Sequence, residues 1–110
     1  MPTTVALTNE QKVTVTLAPK TAAGHDAPVD GAPVWTVQSG NATIQPAADG
    51  MSCVILSPDT VTGSDESIIT VSADADLGAG VTTISDSVNV TTSQAQAAAL
   101  GLNVGTPEPK

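Results

Sequence analysis

From Lys12 to Leu17 the chain alternates, with Val13, Val15 and Leu17 on one side and Lys12, Thr14 and Thr16 on the other. A period of two carried by β-branched residues predicts a strand with one buried face. Pro19 ends it, and the stretch from Gly24-His25-Asp26 to Asp30-Gly31 reads as a polar, turn-rich connection. Pro33 to Gln38 then places Trp35 and Val37 on one face, Ser39-Gly40-Asn41 turns the chain, and Ala42 with Ile44 continues a short strand. Asp49-Gly50 is a strong turn dipeptide leading into Met51 to Ser57. That segment is apolar on both faces (Met51, Cys53 and Ile55 against Val54 and Leu56), which predicts a central strand.

Two turn clusters, Ser57-Pro58-Asp59 and Gly63-Ser64-Asp65, bracket a loop, after which Ile69, Val71 and Ala73 alternate with Thr70 and Ser72. Leu77-Gly78-Ala79-Gly80 turns back into Val81 to Thr92. Inside that last stretch Ile84, Asp86, Val88 and Val90 would share a face and bury a carboxylate. A bulge near Ser85 to Ser87 would re-aim Asp86 outward, and an edge position would do the same. Gln94 to Leu100 is Ala-rich and helical on propensity alone. Leu100, Leu102 and Val104 nevertheless alternate with Gly101 and Asn103, so residues 94–104 are expected as a strand. The chain is expected to divide into one domain, residues 1–105, and a Pro-broken disordered tail, residues 106–110. Short strands with turn signals every eight to twelve residues predict an all-β fold, a sandwich of seven to eight strands around Trp35.

Composition sharpens that picture. A chain of 110 residues with no Phe, no Tyr and one Trp must build its core from Val, Ile, Leu and Ala around Trp35. Length allows one core, burying roughly two-thirds of the extended surface. Eleven acids against three lysines give a net charge of −8. That balance repels phosphate backbones and anionic headgroups, so neither nucleic acid nor a membrane is expected as a partner. No apolar run approaches the roughly twenty residues that span a bilayer. Met1-Pro2-Thr3-Thr4-Val5 lacks the basic start and hydrophobic stretch of a signal peptide, so no export is expected. Cys53 has no partner for an internal disulfide, and its neighbours Val54, Ile55 and Leu56 predict a buried thiol acting as a small hydrophobe.

Four segments together carry a resemblance: Asp30-Gly31-Ala32-Pro33-Val34-Trp35, Ala42-Thr43-Ile44, Ala48-Asp49-Gly50-Met51-Ser52, and Ile69 through Gly78 (ITVSADADLG). From about Gln11 to Pro107 the chain resembles the bacterial immunoglobulin-like, BIG-type domains. It looks most like the small stand-alone versions found in virion proteins of tailed phages and prophages. The resemblance implies an immunoglobulin-like β-sandwich and no catalytic residues. It is weak for function, because such domains are appended to adhesins, capsids and tails alike.

The remaining candidates are weighed by their chemistry. Asp74-Ala75-Asp76-Leu77-Gly78 has the alternate carboxylates that begin a calcium loop, but Gly78 stands where the third oxygen ligand belongs and no Glu follows at the required distance. Turn capping is the expected role of both aspartates, and no metal is expected. His25, the one histidine, lies in a Gly/Asp/Pro loop and is expected to be exposed, not catalytic. One His and one Cys do not supply a zinc site. Gly78-Ala79-Gly80 lacks the lysine of a phosphate loop, and the glycosylation patterns at Asn41 and Asn89 are chance matches without export. No catalytic, cofactor-binding or metal residue is therefore expected, and no cofactor.

A non-enzymatic structural or accessory protein of a phage virion is the leading expectation, docked on a capsid or tail protein, with self-association as a further possibility. A bacterial surface-adhesion or carbohydrate-binding module is the alternative. Sugar sites usually present exposed aromatic platforms, and here the core claims the single Trp.

Overall fold

Thr- and Val-rich segments do form strands, and no helix occurs among residues 3–110, the part of the chain described by the computed structural model. In chain order the strands are β1 (Thr3–Thr8), β2 (Lys12–Thr16), β3 (Asp30–Ser39), β4 (Thr43–Pro46), β5 (Ser52–Leu56), β6 (Ser64–Asp74) and β7 (Thr83–Ser93). They pair as a four-stranded sheet in the order β1-β7-β6-β3 and a three-stranded sheet in the order β2-β5-β4. The architecture is all-β and sandwich-like. One apolar cluster joins the sheets, with Leu7, Trp35, Ile69, Val71, Val88 and Val90 from the larger and Cys53 and Ile55 from the smaller. As its two apolar faces predict, β5 is central, pairing Val13 and Ile44 on either side of Ile55.

Register decides which side chains meet. β6 and β7 are antiparallel without a shift, from Ser64 opposite Ser93 to Asp74 opposite Thr83. Because side chains alternate across a strand, Ser67, Ile69 and Val71 point inward beside Val90, Val88 and Asp86. β3 continues that face with Trp35 opposite Val71 and Val37 opposite Ile69, and shifts register at both of its ends.

Two expectations are corrected and one strand is added. No bulge interrupts Ser85 to Ser87: the ladder with β6 is regular there, so Asp86 keeps its place on the inner face. It escapes burial because that end of the face is uncovered, and neighbouring Ile84 is 47% exposed. Second, β1 is an additional strand that the alternation does not predict, since Thr3–Thr8 offers only Val5 and Leu7 as large apolar residues. It runs parallel to β7 and pairs with its second half, Thr3 opposite Val88 through Thr8 opposite Ser93. Third, residues 94–104 form neither strand nor helix, and Leu100, Leu102 and Val104 are 91%, 88% and 91% exposed. The chain leaves β7 at the end of the sheet, where β1 already occupies the adjoining edge and Asn9 Oδ1 accepts the Ala95 N–H at 2.7 Å. No edge lies alongside for the segment to join. The described chain is 84 Å long and only 23 by 22 Å across, whereas an eleven-residue strand spans about 36 Å at a rise of roughly 3.3 Å per residue. Much of the length belongs to the segment after Ser93.

Candidate functional site

At the end of the larger sheet marked by Thr83–Ser87, β6 lies on one side of β7 and no described strand lies on the other. The smaller sheet also runs out here: β2 ends at Thr16, β5 begins at Ser52, and the chain leaves through Ala18 and Pro19 into a loop. The two inner faces therefore part, opening a cleft of about 390 Å³ walled by Val15, Leu17, Val71 and Ile84, with Trp35 among its lining and Asp86 on one wall. Such a volume is well beyond the roughly 30 Å³ share of one water molecule, and it falls in the ~300–1,000 Å³ range of small-molecule pockets.

Trp35 is 7% exposed, and its indole Nε1–H donates to Gly50 O at 2.8 Å. The acceptor is held by the Asp49-Gly50 turn, in which Asp49 Oδ1 accepts the Met51 N–H at 3.0 Å. Gly50 has φ +71°, and a Cβ there would lie 2.6 Å from Pro33 O. The turn therefore requires glycine for conformation and for space. Among the described residues lining the cleft, Asp86 is the one with an ionisable side chain, and its Oδ1 accepts the Ser87 N–H at 2.8 Å. Apolar walls with a single carboxylate offer a binding surface. They do not bring together a nucleophile, a base and an orienting group.

The other end of the same sheet is built differently, and no sequence expectation covers it. Ser67, fully buried, donates its hydroxyl to Asp65 Oδ2 at 2.7 Å and accepts the Ala42 N–H at 3.0 Å. Asn41 Nδ2 donates to Asp65 Oδ1 at 2.8 Å. The Ser67 hydroxyl, together with the Asn41 amides, holds the Asp65 carboxyl below the usual carboxylate range. Gly40 closes the arrangement: at φ +91° a Cβ would sit 2.3 Å from Ser67 Oγ. The signal was present in the strand parity, because counting back by twos from Val71 and Ile69 puts Ser67 and Asp65 on the inner face.

The remaining expected residues are dispersed. Asp74 Oδ1 accepts the N–H groups of Asp76 and Thr82, each at 2.9 Å, and Asp76 Oδ1 accepts that of Gly78 at 2.7 Å, which is turn capping. His25 is exposed in the loop between β2 and β3, where Thr21 N–H donates to its carbonyl and Lys20 pairs with Asp26. Cys53 is buried in the core, and burial pushes its thiol up. Among the described residues no group of three or more His, Cys, Asp or Glu converges as a metal site, and no helix is long and apolar enough to cross a membrane. No protein-family model matches the chain, and no curated protein or solved structure matches it significantly.

Proposed function

We propose that this chain is a non-enzymatic accessory domain of a phage virion, an immunoglobulin-like sandwich docked on a multi-copy capsid or tail protein and dispensable for particle formation. One observation carries the docking part: apart from Val34 on β3, its exposed large aliphatic residues lie at the open end of the sandwich (Leu77, Val81, Ile84) and on the segment after β7 (Leu100, Leu102, Val104). Exposed apolar surface gathered in patches supports a protein-binding role more than a scattered distribution would. The virion setting rests on the resemblance to BIG-type domains and on a net charge of −8, which suits solubility at high copy number.

The alternative, glycan adhesion, has less to stand on, because the aromatic surface that stacks on sugars is confined to a Trp whose face is nearly all in the core. Mass spectrometry of purified particles from the parent phage or induced prophage is the test. The protein is expected among the particle components. Its absence there, with recovery from the bacterial envelope instead, would replace this reading with the adhesion one.

A further inference from the structure

We propose that the segment Leu100–Val104 of one copy docks in the open cleft of a second copy as an added strand beside Thr83–Ser87. Two unfinished features of the fold match each other. The cleft is open between Val15, Leu17, Val71 and Ile84, and the backbone of Thr83–Ser87 lacks a described neighbour on the side away from β6. The segment carries what both require. In an extended conformation Leu100, Leu102 and Val104 fall on one side, with Gly101 and Asn103 on the other. A strand added at that edge would send its aliphatic side chains toward Val15, Leu17 and Ile84 while its backbone pairs with β7, with the Asp86 carboxylate left in water at the mouth of the cleft. Edge hydrogen bonds supply affinity in this mode of recognition, and alternate side chains supply specificity.

Position argues for a second copy and against the chain's own cleft. The segment departs beyond Ser93, where Ala95 is fastened to Asn9, whereas the cleft lies toward Thr83 at the other end of the eleven-residue β7. β1 lies along the intervening edge, Thr3–Thr8 against Val88–Ser93. A neighbouring copy can approach from the Thr83 end, beyond the described extent of β1. The donor patch and the acceptor patch differ, so the contact is heterologous and each copy keeps one free donor and one free acceptor. Association should therefore run past the dimer as concentration rises. Copies that each carry −8 repel one another at low salt, so added salt should strengthen the contact.

This inference uses the same apolar patches as the docking part of the proposed function, but not its virion setting, so the two fail separately. Loss of the protein from particles would leave self-association intact, and a strictly monomeric chain would leave particle docking intact.

Sedimentation velocity of the full chain across a wide concentration range, at low and high salt, is the test. Concentration-dependent oligomers that grow with salt are expected. Leu100→Asp/Leu102→Asp alters exposed positions, so the fold should persist by circular dichroism while association weakens on the order of a hundredfold or more. Ile84→Asp should do the same from the acceptor side, and Ile84→Ala should weaken it several-fold if the aspartate disturbs the fold. Each variant keeps the half that the other has lost. Mixed in equal amounts, the donor-defective and acceptor-defective chains should form dimers and nothing larger. A wild-type chain that stays monomeric throughout overturns the proposal, as does undiminished association of the donor-defective chain or a mixture that forms no dimer. A monomer in which a fluorophore at position 102 is shielded would place the segment in its own cleft and likewise overturn exchange between copies.

Discussion

Asp65 and Asp86 both stand on the inner face of the larger sheet, at opposite ends, and the fold treats them in opposite ways. Asp65, opposite Thr92, receives Ser67 and Asn41 as donors, and the turn through Gly40 and Asn41 folds over it until Ala42 is buried. Asp86, opposite Val71, receives only its neighbour's amide and stays exposed. An inward carboxylate must be given donors or left in water, because burial without partners costs several kcal/mol. The first solution closes an end of the sandwich. The second leaves an opening that another chain can fill. Asp86 stays in water because the smaller sheet stops short of it.

The largest way to break the contrast is Trp35→Ala. Trp35 lies where the cleft meets the core and anchors the Gly50 turn. Its truncation should cost about 3–5 kcal/mol and extend the opening toward the closed end. With no Tyr present, its emission reports this directly: blue-shifted in the native state and red-shifted on denaturant unfolding. Native emission at the fully solvated wavelength would contradict a core position.

Next in size, Ser67→Ala should destabilise by about 1–3 kcal/mol, because it strips a donor from Asp65 and an acceptor from the Ala42 amide at a fully buried site. Asp86→Asn, at the open end, should stay within about 0.5 kcal/mol. Denaturant midpoints of the two variants measure the asymmetry, and equal losses would dissolve it.

What the sequence reveals about these ends follows from how far each signal reaches. Alternation and turn signals mark six of the seven strands among the described residues, and β5 is readable as central because both of its faces are apolar. β1 was invisible because its pairing with β7 spans nearly the whole chain, and Thr3–Thr8 carries few apolar residues of its own. The bulge expected at Ser85–Ser87 followed from assuming that an inner face is covered along its whole length. Coverage depends on where the opposing sheet stops, which no local pattern states. For the same reason Leu100–Val104 alternates like a strand yet lies free: periodicity marks competence to pair, and a partner edge must still be present. Turn chemistry, being local, was fully legible at Asp49-Gly50 and at Asp74 and Asp76.

Acid should weaken the closed end through Asp65. Hydrogen bonding lowers the Asp65 pKa in the folded chain, so its contribution is complete above the unfolded value, about 3.9, and disappears as pH falls through the lower folded value. Unfolding free energy measured from pH 6 downward should therefore fall toward low pH. Asp65→Asn should flatten that limb. A slope that survives Asp65→Asn would assign the acid sensitivity elsewhere.

The smallest effect concerns a second aspartate pair, Asp74 and Asp76, at the open end of β6. Asp74 lies opposite Thr83 at the first residue of β7, and with Asp76 it shapes the turn that delivers Thr83–Ser87 to the cleft. Asp74 Oδ1 already accepts two backbone amides, Asp76 Oδ1 accepts one, and a Cβ at Gly80 would lie 2.7 Å from Asp76 Oδ2. A calcium ion needs six to eight oxygens, and recruiting these would release the amides that set the turn. A ligand that binds only the folded state raises stability by mass action, so millimolar calcium should leave the melting temperature unchanged. Asp74→Asn keeps one oxygen acceptor and should cost at most about 1 kcal/mol, whereas Asp74→Ala, which frees both amides, should cost more. A clear rise in melting temperature with calcium that vanishes in Asp74→Asn would make this turn a metal site, and would tie the shape of the open end to an ion instead of to backbone capping.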